Sequence, residues 1–138
     1  MERESKVQPR VLLEAQIIIP IEPRTKKNHQ QIIKNRSTGA LMVIPSKQYK
    51  EYEKDCMEHI PEDIRRGIDY PVNVCCKFYM GTKRKCDLVN LLQSIDDILV
   101  RAGVLADDNY TVIESHDGSR VFYDKEFPRT VVEIRRIV

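Results

Sequence analysis

The sequence has no tryptophan, no CxxC pair, no long apolar run and little imbalance of charge, and each absence closes off a class of protein. The longest apolar run falls far short of the ~20 residues that span a bilayer, so no transmembrane helix and no membrane contact are expected. The opening residues, MERESKVQPR, lack the apolar segment of a secretory signal. They are expected to be disordered over residues 1–10, in a chain that stays in the cytoplasm. Cys56, Cys75, Cys76 and Cys86 are not spaced for zinc with any histidine, and reduced thiols are the simplest expectation. Cys75 and Cys76 are adjacent, so on a strand they point to opposite faces. His29, His59 and His116 are scattered and form no ligand motif. The phosphate-cradling GxxxxGK[ST] and GxGxxG loops, the GxSxG elbow and the HExxH helix are all missing. The net charge is only +2. Any contact with nucleic acid must therefore come from local basic patches.

What remains is the composition of one soluble domain. The 138 residues are 41% apolar and 32% charged, enough to bury a core without disulfide or metal staples. Val11 to Ile19 reads as a strand that stops at Pro20 and Pro23. Arg24 to Asn28 is a cationic turn. Gln31 to Lys34 and Ala40 to Ile44 flank NRSTG, a hairpin signal with Gly39 suited to positive φ. Ser46 is a helix N-cap for a segment with Tyr49, Tyr52, Cys56 and His59 at helical spacing, and Pro61 stops it. Residues 61–71 read as a polar connection and Val72 to Met80 as a strand ended by Gly81. A second helix spans about Asp87 to Ala102, with Gly103 in the cap. Tyr110 to Ser115, Val121 to Tyr123 and the alternating Thr130 to Val138 read as strands. This order predicts a single α/β (α+β) domain over residues 1–138, with two helices on a mixed sheet. A βαβ crossover would join Val72–Met80 to Tyr110–Ser115.

The run KRKCDLVNLLQSIDDILVRAGVLADD, Lys83 to Asp108, carries the chemistry. It begins with three cations, continues as an amphipathic helix starting at Asp87, and ends on Asp107 and Asp108. At ~100° per residue, Leu88, Leu91, Leu92, Ile95, Leu99 and Ala102 share one face. Asp87, Asn90, Ser94, Asp97 and Arg101 form a polar stripe of mostly short-armed groups. Carboxylates near a cationic run suit a divalent metal that handles phosphates, with Lys26, Lys27, Lys83, Arg84 and Lys85 as phosphate contacts. Simpler readings stand beside these: Asp87 as a cap, Asp97 as surface, the lysines as solvated turns. Asp117 to Arg120, DGSR, suits either phosphate binding through Ser119 and Arg120 or an ordinary hairpin turn. A helix of about 15 residues is over ~20 Å long, so its two acid ends meet only if the chain folds back along it or a second protomer supplies the far acids.

The run Lys83-Arg84-Lys85-Cys86-Asp87-Leu88-Val89-Asn90, followed by Asp97, Ala102-Gly103 and Asp107-Asp108, resembles the RusA-type Holliday junction resolvases of phages and prophages. The likeness is most specific over residues 83–113. It extends more loosely to Pro20–Asn28, the helix after Ser46 and the closing strand. The resemblance implies a homodimeric, Mg²⁺-dependent endonuclease, with Mn²⁺ as the substitute ion, that resolves four-way DNA junctions in recombination and repair. It also implies a nucleoid-associated place in a bacterial or phage-infected cell. It carries catalytic roles to Asp87, Asp97, Asp107 and Asp108 and metal binding to Asp87, Asp107 and Asp108. DNA binding falls to Lys26, Lys27, Lys83, Arg84, Lys85 and Arg120. Two positions depart from the family pattern: Val89 stands where the second acid of DxDN belongs, and Gln93 where a helix lysine does. The alternative they raise is a RusA-like dimer that binds branched DNA and cuts it weakly or not at all.

Overall fold

Residues 12–26 and 30–137 are described by the computed structural model. The expectations for residues 1–10, Lys27, Asn28 and His29 fall outside them. Seven strands and two main helices follow in the order β1 (Leu12–Ile19), β2 (Gln30–Lys34), β3 (Leu41–Pro45), α1 (Lys47–Glu58), β4 (Val72–Met80), α2 (Leu88–Arg101), β5 (Ile113–Ser115), β6 (Arg120–Tyr123) and β7 (Arg129–Arg136). This is the expected mixed-sheet, two-helix α+β arrangement.

The main sheet runs β1-β7-β4-β5, with β6 also on β4. β7 is antiparallel to both of its neighbours, from Leu12↔Arg136 to Ile19↔Thr130 on one side and from Val72↔Arg136 to Tyr79↔Arg129 on the other. β5 and β6 both run parallel to β4, β5 beside its start at Val72 and β6 beside Lys77 to Met80. The β4-α2-β5 crossover is thus present. The Asp-Gly of DGSR is not a hairpin turn, because the strands on either side of it point the same way along one edge of β4. Gly118, at φ 89°, supplies the kink between them. β5 is shorter than its sequence suggests. Asn109 Oδ1 accepts the Thr111 backbone N–H at 2.9 Å, and that side-chain turn withholds residues before Ile113 from the sheet.

Alternation along the strands separates two faces. Ile17, Ile19, Val72, Val74, Cys76, Phe78, Val132 and Ile134 are buried in one cluster with Tyr49, Tyr52 and Cys56 of α1 and Leu91, Ile95, Ile98 and Leu99 of α2. Each such large side chain contributes about 1.5–3 kcal/mol on burial. Cys76 lies in this core while Cys75, on the other face, is only half-buried, and all four cysteines are free thiols. Among the described residues no helix is long and apolar enough to cross a membrane.

Local chemistry sets the boundaries of the other elements. Asn35 Oδ1 accepts the Ser37 and Thr38 N–H groups, and Gly39 takes φ 75°, closing the separate β2–β3 hairpin. Ser46 Oγ accepts the Tyr49 N–H at 3.1 Å, capping α1. At its other end the Arg65 guanidinium donates to the carbonyls of Met57 and Ile60. The polar connection after Pro61 contains a 3-10 turn, Glu62–Ile64, and buries Ile68. Gly103, at φ 84°, donates to Val100 O, and Val104 donates to Leu99 O. This paired closure satisfies two of the free carbonyls at the end of α2.

Candidate nucleic-acid and metal site

The polar stripe of α2 divides into three environments. At the amino end, Asp87 holds the N-cap position without capping the helix through its side chain. Among the described residues its Oδ2 accepts only from Asn90 Nδ2, at 3.2 Å, and the carboxylate is exposed. In the middle, Ser94 is buried and bonds the Tyr49 hydroxyl, tying α2 to α1. A serine reads as surface from periodicity alone, and its partner lies on a helix far away in sequence. Burial holds the Tyr49 phenol up at about 12, although the Ser94 bond opposes the shift. Toward the carboxyl end, Asp97 accepts from Lys26 Nζ at 2.8 Å and lies 3.7 Å from Arg101 Nε. Arg101 also approaches Glu53 of α1, at 3.8 Å.

The chain after α2 folds back. Gly67 donates to Gly103 O, Ile68 to Val104 O and Ala106 to Ile68 O, pinning residues 103–106 against the segment before β4. Asp107 and Asp108 follow, both exposed, with Asp107 Oδ1 accepting the Asp108 N–H at 2.7 Å. The fold-back carries Asp108 near enough to Asp96 for its charge to act there. Asp96 is nine residues beyond Asp87, roughly 13 Å along the helix axis. Asp108 thus lies within electrostatic reach of Asp96 on α2.

Asp96 went unnoticed in the sequence, and His116 was read only as one of three scattered histidines. Asp96 Oδ2 lies 2.8 Å from His116 Nε2, and His116 Nδ1 lies 2.9 Å from Val74 O. The ring thus clasps α2 to β4. Burial raises the Asp96 carboxyl; the His116 bond opposes this, and Asp108 and Asp97 add to the rise. Burial alone would lower His116, but the bond to Asp96, its charge and the Val74 carbonyl outweigh that and leave it raised. No motif marks the pair. The one available signal was an acid placed off the polar stripe of an amphipathic helix.

The two cationic segments of the sequence meet. Pro23, Arg24 and Thr25 form one side of a cleft of about 200 Å³, and Thr82, Arg84, Lys85 and Cys86 form the other. Gly81 donates its N–H to Glu22 Oε2 at 2.6 Å. A Cβ at Gly81 would stand 2.8 Å from Pro128 Cγ and 3.0 Å from Glu22 Oε2, so a side chain there would crowd the start of the basic run. Arg84 and Lys85 are exposed, and Lys83 Nζ sits 5.0 Å from the centre of the Tyr123 ring. Arg120 opens β6, with its guanidinium 5.3 Å from the centre of the Phe122 ring.

Among the described residues, no three His, Cys, Asp or Glu side chains converge as a metal cluster. The donors on offer are carboxylate oxygens, which suit a hard cation. Mg²⁺ commonly takes one or two carboxylates and completes its shell with water and substrate phosphate. Asp87, Asp107 and Asp108 fit that demand, since they are exposed and make no ion pair among the described residues. Asp97 is committed to Lys26 and Arg101.

Asp87 directly follows Cys86, which lines the cleft of about 200 Å³. The sequence profile described as "Endodeoxyribonuclease RusA" matches residues 6–135, and the chain belongs to that family. It is also 32% identical over 69 residues to the crossover junction endodeoxyribonuclease RusA of Aquifex aeolicus (strain VF5). That alignment takes in 50% of this chain and 52% of the relative, so the match spans about half the length of each.

Proposed function

We propose that this chain is a Mg²⁺-supported, structure-selective endonuclease that acts as a homodimer on four-way DNA junctions. The observation that carries this reading is the availability of Asp87, Asp107 and Asp108. They keep no cation partner among the described residues, although Lys and Arg outnumber Asp and Glu in the chain, 23 to 21. Asp87 and Asp108 would hold Mg²⁺, or Mn²⁺ in its place, with Asp107 fixing the backbone of Asp108. The bound ion would supply charge neutralisation at the scissile phosphate and a more acidic water. Lys83, Arg84 and Lys85, with Lys27, hold the DNA backbone as phosphate contacts, and Arg120 is a further contact to the DNA strand. Lys26 joins them from its place against Asp97, which makes Asp97 a positioning residue. A two-fold dimer presents two equivalent sites, as paired nicks across a junction require. It also allows Asp87 of one protomer to work with Asp108 of the other.

Incubation of a labelled four-way junction with Mg²⁺ tests this directly. Paired nicks by the wild type, lost on Asp108→Asn with junction binding intact, are the expected result. Cleavage that survives Asp108→Asn overturns the site.

A second reading follows from Val89 and Gln93. Val89 is 72% exposed on α2, and an apolar side chain there brings no donor to a metal. On this reading the chain holds branched DNA without cutting it. Salt-sensitive junction binding with no nicking in Mg²⁺ or Mn²⁺ is its signature.

A further inference from the structure

The face of the sheet turned away from the helices carries an ordered stack. Across β7, β4 and β6, Arg129, Tyr79 and Phe122 are neighbours in register. The Arg129 guanidinium lies 3.7 Å from the centre of the Tyr79 ring and 4.7 Å from that of Phe127. Tyr79 and Phe122 stack with centroids 4.9 Å apart and planes 15° apart. Arg120 then lies over Phe122. Phe127, Arg129, Tyr79, Phe122 and Arg120 thus form a ladder of cationic and aromatic groups. Its two cations differ. Arg129 is fixed by Asp124 at 2.9 Å and by the Phe127 carbonyl. Arg120 is exposed and makes no ion pair or side-chain hydrogen bond among the described residues. It opens β6, whose sole strand partner among the described residues is β4. Lys77 faces Arg120 in register and likewise makes no ion pair among them.

We propose that this ladder is a platform for an unpaired nucleotide, whose base stacks on the outer face of Arg120 while its phosphate meets Lys77. The inference rests on the DNA-handling reading above and adds to it a preference for strands whose bases are free. The physical grounds are those of single-strand recognition. Every base has a π-face, guanidinium and aromatic planes both stack on it, and the backbone is held by charge. In a duplex each base face is covered by its neighbours, so the end of the ladder selects against paired DNA. Arg120 already rests against Phe122, 5.3 Å from its ring centre, and a side chain placed before binding has less to lose in ordering. The cations Lys77 and Arg120 face an anionic strand with no carboxylate paired to either. That charge pattern and the planar geometry favour nucleic acid over an apolar protein surface.

The test separates stacking from charge. Binding of the full chain to a 2-aminopurine-labelled single strand and to the matching blunt duplex is measured in EDTA, so that cleavage plays no part. The wild type is expected to bind the single strand more tightly and to change the 2-aminopurine fluorescence. Arg120→Lys keeps the charge and loses the plane; it should weaken the single strand by about fivefold to a hundredfold, the worth of one stacked base. Phe122→Leu should act in the same direction, and the duplex affinity of either variant should move much less. Equal single-strand binding by wild type and Arg120→Lys overturns the platform, as does equal loss for single strand and duplex. No single-strand preference in the wild type overturns it too. Junction nicking, assayed separately in Mg²⁺, is untouched by any of these failures and reports on the proposed function alone.

Discussion

Replacing Asp97 with asparagine separates a metal ligand from a positioning residue. The carboxylate accepts from Lys26 Nζ at 2.8 Å and lies 3.7 Å from Arg101 Nε, with about a third of its side chain exposed. Pairs with this degree of solvent contact contribute ~0.2–1 kcal/mol each. Losing both should cost about 1 kcal/mol, a fall in Tm of about 3 °C for a domain of this size. A double-mutant cycle with Lys26→Met, read by thermal unfolding, should recover most of the Lys26 share as coupling. Junction nicking should drop by less than about tenfold, the kinetic equivalent of that energy, because Lys26 loses its station while the metal donors remain. The Mg²⁺ concentration for half-maximal nicking should stay where it is in the wild type. A drop of about a hundredfold or more, with a higher Mg²⁺ requirement and an unchanged Tm, would refute this and place Asp97 on the ion.

Three further outcomes follow from the same geometry. Val89→Asp puts a carboxylate on an exposed site in the first turn of α2, where the helix dipole favours it by ~0.3–1 kcal/mol. Tm should hold or rise, and Mg²⁺-supported junction nicking should increase. Gly81→Ala forces a Cβ toward Pro128 and Glu22 and should destabilise by about 1–3 kcal/mol in thermal unfolding, with weaker DNA binding from the displaced basic run. His116 has a folded pKa raised above 6.5, so its stabilisation is complete below that pH and is lost as pH rises through the raised value. Tm measured from pH 6 to 9 should therefore decline in the wild type and run flatter in His116→Gln. The raised carboxyl of Asp96 loses its own contribution as pH climbs from 3.8 through its shifted value.

Features written in neighbouring residues were legible in advance. Ser46, Gly39 and Gly103 each do locally what their types suggest, and the period of α2 names most of its buried face. Ile98 was absent from that face because a fixed 100° step from Asp87 placed it near the polar stripe; in the folded chain it is fully buried. Contacts between distant residues were not legible. The Tyr49–Ser94 bond, the Lys26–Asp97 pair and the Asp96–His116 clasp each join segments that sequence spacing does not relate. The distance problem posed by the length of α2 was legible. Its partial answer, a chain pinned back on the segment before β4, needed the hydrogen bonds between residues 67–68 and 103–106.

β7, the last in chain order of the described strands, lies between β1 and β4. Until Arg129 to Arg136 leave the ribosome, β1 has no neighbour in the sheet, and its apolar residues Ile17 and Ile19 lack their cover. The fold thus closes through its most distant pairings, which slows folding and leaves the nascent chain open to association throughout translation. A stop codon or protease cut shortly before Arg129 would remove a central strand and detach β1 from the domain. Truncation of this short segment should therefore abolish folding, where loss of an edge strand of equal length would trim it.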